Sequence, residues 1–214
     1  MPDASTGSRY GEPVDADGWD QRYAAADLVW SAGPNRFVAE ELADRPPGPV
    51  LDLASGEGRN ALWLAARGWQ ATAVDFSAVA VAKGRARADE QGLRVEWVVA
   101  DVVRGYRPPS AAFDVVLIAY LHLPPEDTAT VLRTAAGAVA PGGTLLVVGH
   151  DVTNLSDGTG GPQDPERLYS PELITAHLAG WRVERAERAR RPVETDAGTR
   201  DAIDTVVRAV RVSS

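Results

Sequence analysis

Asp52 stands four residues before a Gly56-Glu57-Gly58 turn, inside the apolar run Val50-Leu51-Asp52-Leu53-Ala54. A carboxylate in an apolar strand is costly unless a polar or charged group meets it. It therefore reads as a ligand contact, one that favours positive charge. The glycines let backbone amides approach a bound group closely, and the helix that follows offers unpaired N–H groups at its start. Asp75 ends the next apolar run and Asp101 follows the third. His122 and His150 each follow a later apolar run, and either could act as a general base near neutral pH. The turn alone is ambiguous, because Gly56-x-Gly58-x-x-Ala61 with Asp75 also fits a dinucleotide fingerprint.

The elements that must hold these residues follow a rhythm. Val50–Ala54, Gln70–Asp75, Val95–Ala100, Phe113–Tyr120 and Thr144–Val148 read as short apolar strands. Helical segments lie between them: Asn60–Arg67, a Ser77-capped stretch to about Gln91, and Pro124–Ala140. The pattern predicts an α/β fold, a doubly wound sheet covered on both faces. Trp181–Val193 and Ile203–Val212, with a polar turn between them, add a hairpin, so the sheet should have seven strands with the last inserted antiparallel. Trp19–Leu42 reads as an N-terminal helical lead-in of two short helices broken at Gly33-Pro34. Residues 1–17 read as a disordered tail and 18–214 as a single domain. The Gly- and Pro-rich stretch 151–169 reads as a long loop, a lid over the site.

Composition narrows the chemistry. The 214 residues carry a net charge of −8 and no cysteine, which excludes disulfides, thiolate metal sites and a cysteine nucleophile. Lys83 is the only lysine and precedes Gly84, so a Gly-Lys-Ser/Thr phosphate loop is excluded. The acidic balance argues against nucleic acid as a partner. No apolar run approaches the ~20 residues of a membrane span, and the first residues lack an apolar signal core. A cytoplasmic protein is the expectation. No metal is expected, since the histidines lack ligand spacing.

Asp52 favours a sulfonium-and-amine ligand over a dinucleotide, whose pyrophosphate it would repel. Asp101 is placed to accept from an adenine amine, and the chain has no room for a separate hydride-transfer substrate domain. Together these residues resemble the class I S-adenosylmethionine-dependent methyltransferases. Their Asp/Glu-x-Gly-x-Gly-x-Gly motif reads here Asp52-Leu53-Ala54-Ser55-Gly56-Glu57-Gly58, with Ala54 replacing the first glycine. Gly56-Glu57-Gly58-Arg59-Asn60 before an apolar helix looks like the tellurite-resistance and thiopurine-type members, which act on small thiols, selenium or tellurium species.

The resemblance implies a Rossmann-like methyltransferase fold, S-adenosyl-L-methionine as cofactor and S-adenosyl-L-homocysteine as product. Asp52 and the loop through Ala54, Gly56 and Gly58 would face the methionyl part, with Arg59 or Asn60 near its carboxylate. Asp75 would take the ribose hydroxyls and Phe76 would pack on the adenine. Asp101 and the Val102 amide would read the adenine edge. Ala119 and Tyr120 would border the transferred methyl, and Trp30 would cover the site. The acceptor would be a small molecule: a thiol, a chalcogen, or an oxygen or nitrogen nucleophile. The alternatives are a nicotinamide-dependent (NAD(P)) oxidoreductase and a non-catalytic binding module. Plainer roles stand beside these: Asp75 and Ser77 could serve only to cap a helix, and the arginines from Arg182 to Arg191 read as a solvated strand face. His177 reads as a structural residue at a helix end.

Overall fold

The computed structural model describes residues 15–195 and 198–213. The predicted tail is corrected at its end: Asp15 caps a helix, accepting from the Gly18 amide at 3.0 Å, and Asp17 lies inside its first turn. The remainder of that segment, residues 1–14, lies outside the described residues.

This helix, α1 (Ala16–Ala24), is followed by α2 (Arg36–Leu42), β1 (Pro49–Leu53), α3 (Arg59–Ala65), β2 (Gln70–Asp75), α4 (Ala78–Glu90) and β3 (Val95–Val99). Then come β4 (Phe113–Ala119), α5 (Pro125–Ala138), β5 (Val139–His150), α6 (Asn154–Asp157), α7 (Pro171–Thr175), β6 (Arg182–Thr195) and β7 (Gly198–Val210). Ser77, the expected cap, accepts from Ala80 at the start of α4, and the Asn35 side chain accepts from the first amides of α2.

The seven strands form one sheet in the order β3-β2-β1-β4-β5-β7-β6. The first five are parallel, and β7 runs antiparallel between β5 and β6. A hairpin connection explains this insertion, since β6 and β7 pair along nearly their whole length and β7 then zips onto β5. Side chains alternate between the two faces. Leu51, Leu53, Val116, Ile118 and Leu145 pack toward α5, while Val50, Val115, Leu117 and Leu146 pack toward α2 and α3.

The chain runs outward from β1 to β3 on one side and from β4 onward on the other. The crevice at the carboxyl ends of β1 and β4 is thus the switch point where open α/β sheets take ligands. Residues 151–169 hold more structure than a loop reading allows: α6, a 3-10 turn at Pro165–Arg167, and a bridge between Asp151 and Tyr169. The buried Asn154 side chain explains the compaction. It accepts from the Ile203 amide and donates to the Gly160 carbonyl.

Candidate active site

The turn after β1 needs a left-handed backbone at three places, Ala54 (φ 57°), Gly56 (φ 56°) and Gly58 (φ 74°). Alanine in that region is strained by roughly 1–2 kcal/mol. Gly58 is also fixed by space, since a Cβ there would lie 2.2 Å from Trp97 Cη2. Asp75 shapes the turn: its Oδ2 accepts from the Gly56 amide at 2.8 Å and its Oδ1 from the Ser77 amide at 2.9 Å. Burial nevertheless holds the Asp75 carboxyl above the usual range, with those two amides pulling the other way.

Asp52 is 1% exposed and neither of its carboxylate oxygens has a hydrogen-bond partner. Burial pushes it up to about 7, against the pull of the Arg59 charge and the nearby Ala61 amide. An apolar residue would be cheaper there, so the position is built for a polar or cationic group arriving from outside.

The N-terminal segment straps the turn down. Glu57, itself buried, meets Lys83 Nζ at 2.5 Å and accepts from the Val29 amide at 3.0 Å. Lys83 also donates to the carbonyls of Tyr23 and Ala26. The Trp30 indole donates to Tyr23 Oη at 3.2 Å, both close above Gly56, and Asp20 accepts from the Ser77 hydroxyl. Arg59 donates to Ser31 in the same segment.

A second constellation closes the other side of the crevice. Tyr120 follows β4 in the left-handed region (φ 59°). Its hydroxyl donates to Asp204 Oδ2 at 2.8 Å and accepts from the Asn35 side chain at 3.3 Å. Asn35 in turn donates its backbone amide to Asn60 Oδ1 at 2.8 Å, which links α3 of the glycine turn to this cluster. Arg191 Nε donates to the same Asp204 oxygen at 2.8 Å, and His150 Nδ1 stands 3.2 Å from Asp204 Oδ1. Burial works against the Asp204 charge, but the His150 and Arg191 contacts outweigh it and hold the carboxyl below its ordinary range.

The two histidines differ. His122 Nε2 accepts from the His150 backbone amide at 3.2 Å, and its Nδ1 faces the Arg167 carbonyl at 3.0 Å, which makes Nδ1 the donor. Burial, reinforced by His150, lowers its pKa to about 3. With both ring nitrogens engaged, His122 holds the backbone of the crevice rather than serving as a base. Asp101 is local in this structure, its Oδ1 accepting from the Val103 and Arg104 amides in a turn. Val102 is buried, while Phe76 and Ala119 are half-buried beside the two strand ends.

The sequence reading missed Asp204, Asn35, Glu57 and Tyr23, and its solvated-face reading is corrected at Arg191, whose side chain is mostly buried and held by Asp204. Asp204 carried the same signal as Asp52, an acid inside the apolar run Ala202-Ile203-Asp204-Thr205-Val206. Among the described residues no cluster of His, Cys, Asp and Glu could hold a metal ion.

Residues 50–143 match a family model described as a methyltransferase domain. That stretch contains the glycine turn, Asp75 and Asp101, and the fold around it inserts an antiparallel strand that the dinucleotide-binding order lacks. Over residues 50–143 this chain is thus similar to a methyltransferase domain. An uncharacterized methyltransferase of Mycobacterium tuberculosis is 38% identical to it over 111 residues, 51% of this chain and 54% of that protein. A 2-heptyl-1-hydroxyquinolin-4(1H)-one methyltransferase of Mycobacteroides abscessus is 29% identical over 173 residues, covering 78% and 74%. The structure of TehB from Haemophilus influenzae shares the fold at a TM-score of 0.70 and 17% identity, over 92% of this chain and 66% of that one. The chain spans about half the length of most of the curated relatives it matches. Among the described residues no helix is long and apolar enough to cross a membrane.

Proposed function

We propose that the protein transfers a methyl group from S-adenosylmethionine to a small-molecule acceptor. The observation that carries the reading is Asp52, a buried carboxylate with no partner of its own at the switch point of the sheet. A cationic ligand supplies what this carboxylate lacks, and a pyrophosphate would aggravate it.

The donor set fits the cofactor. Asp52 would face the methionyl amine, Arg59 and Asn60 the carboxylate, and Asp75 the ribose hydroxyls through the lone pairs its two amide contacts leave over. Phe76, Asp101 and the Val102 amide would hold the adenine, and Trp30 would cover the site. The cofactor supplies a methyl group on a sulfonium, ready for in-line displacement. The protein's part is to hold donor and nucleophile near 3 Å, which contributes roughly 7–11 kcal/mol to lowering the barrier. Ala119 and Tyr120 border that point, and His150, backed by Asp204, would take a proton where the acceptor brings one. The 151–169 segment would be the lid, with Gly161 lying flat on the imidazole: a Cβ there would come within 2.8 Å of the His150 ring. The names of relatives point the same way, since one methylates a small hydroxylated heterocycle. Cytoplasmic location goes with such a role.

Calorimetric titration with S-adenosylmethionine and NADH side by side tests the reading. Binding of the first alone is expected, and Asp75→Ala should weaken it at least tenfold. Binding of NADH instead would replace methyl transfer by hydride transfer, and unchanged affinity in the Asp75 variant would remove the ribose assignment.

A further inference from the structure

We propose that a cavity at the amino ends of β1, β4 and β5 binds an α-amino acid with an apolar side chain, its carboxylate on Arg45 and its ammonium on Asp114. The site lies at the opposite ends of these strands from the glycine turn, and the proposal does not rest on the methyl-transfer reading.

Strand register makes the space. Phe113 pairs with Val139 but Val115 pairs with Thr144, so residues 140–143 leave the ladder opposite Asp114. Bulges re-aim side chains and recur beside functional sites. This one is tied down at its far side, where Gly142 donates to the Arg211 carbonyl and Arg211 donates back to the Gly143 carbonyl. Between the bulge and the turn before β1 lies a cavity of about 430 Å³, whose walls include Arg45, Pro46, Trp69, Asp114 and Pro141. Sites for small molecules run roughly 300–1,000 Å³.

Two opposite charges line this cavity and are kept from meeting. Arg45 Nη1 donates to the Thr144 hydroxyl at 2.5 Å. Asp114 lies in the notch that Gly48 leaves, since a Cβ there would come within 2.1 Å of Asp114 Oδ2. Among the described residues no ion pair joins Arg45 to Asp114, and the carboxylate has no donor. The Thr144 contact leaves the Nε–Nη2 edge of Arg45 without a partner among those residues, two parallel donors that match a carboxylate. Burial and the Arg208 charge work against the Arg45 cation and hold its pKa below the ordinary range, with Glu184 and Glu41 pulling the other way. An anion beside it relieves that cost. Trp69 is 5% exposed, and its indole N–H likewise has no partner among the described residues.

These groups define the ligand. An anion alone would be repelled by Asp114, and a cation alone by Arg45. A molecule carrying both charges a short distance apart satisfies each, and the Trp69 N–H adds one more donor for a carboxylate. Pro46, Pro141 and the Trp69 ring offer the remaining apolar wall, which suits an aliphatic or aromatic side chain better than a polar one.

The test is ligand-observed NMR and calorimetry on the full chain. The probes are L-phenylalanine, L-leucine, and the two halves of the first, 3-phenylpropionate and phenethylamine. Both amino acids should bind saturably at one site, and each half should bind about 10–100-fold more weakly than L-phenylalanine. Arg45→Gln and Asp114→Asn should each weaken L-phenylalanine by a similar factor. Asp114→Asn should leave 3-phenylpropionate no weaker, because for that probe it removes only a repulsion. Thermal unfolding of each variant reports folding. Asp114 is exposed, so its variant carries the test even where Arg45→Gln does not fold. Absence of saturable binding of both amino acids, halves that bind as tightly as the whole, or an L-phenylalanine affinity untouched by Asp114→Asn would overturn the proposal.

Discussion

Asp52 and Asp204 sit on the same edge of one sheet, each inside an apolar strand and each almost wholly buried. Asp52, at the end of β1, has no donor within hydrogen-bonding geometry, and its carboxyl rises to about 7. Asp204, opposite His150 on β7, meets Tyr120, Arg191 and His150, and its carboxyl falls below the ordinary range. Burial is common to both, so the partners make the difference. One carboxylate is completed by the protein, which marks machinery already assembled. The other is left incomplete, which marks the place of a ligand.

Breaking the completed side should have the largest effect. Asp204→Ala strands the Arg191 guanidinium, which is mostly buried, and should cost about 3–5 kcal/mol of stability in urea unfolding. A loss under 1 kcal/mol would mean that Arg191 simply swings to solvent. On the incomplete side the sign reverses. The folded pKa of Asp52 lies above its unfolded value of about 3.9, so the native state binds the extra proton between these two values. Stability from this group is therefore present at low pH and is lost as pH rises from about 4 to about 7. Asp52→Asn should remove that slope, raise ligand-free stability at pH 8 by about 1–3 kcal/mol, and weaken S-adenosylmethionine binding. If Asn destabilises the ligand-free protein at pH 8, the carboxylate has a partner after all. The smallest effect belongs to the turn beside it. Ala54→Gly relieves the left-handed strain and should stabilise by about 1 kcal/mol in thermal unfolding.

His122 gives the comparison a pH check. Its pKa near 3 lies below the unfolded value of about 6.5, so the stability it contributes is present at neutral pH and declines as pH falls from 6.5 toward 3. His122→Gln should flatten that acid limb. An unchanged limb would return His122 to the list of candidate bases.

Much of this was legible in the residues. Alternating apolar strands and helices, the cap at Ser77, and the inserted last strand follow from local pattern. Asp52 drew notice because a glycine turn stands beside it. Asp204 carried the same mark and drew none, because its meaning depends on which residue of β5 it faces. That register is fixed by the length of the β6–β7 hairpin and by how β7 slides onto β5, both long-range matters. The histidines show the same limit. Each follows an apolar strand, and only the groups facing their ring nitrogens tell them apart. The 151–169 segment read as irregular because its order comes from one buried side chain, Asn154, rather than from periodicity.

The strap across the glycine turn has a practical consequence. Its central cation, Lys83, is the sole lysine of the chain and is clasped by Glu57 and two carbonyls of the N-terminal segment. Amine-reactive reagents thus meet one side chain, and that side chain is shielded only while the strap is down. The rate of acylation at Lys83, followed by mass spectrometry with and without ligand, becomes a single-site clock for the opening of the crevice, with no label to engineer.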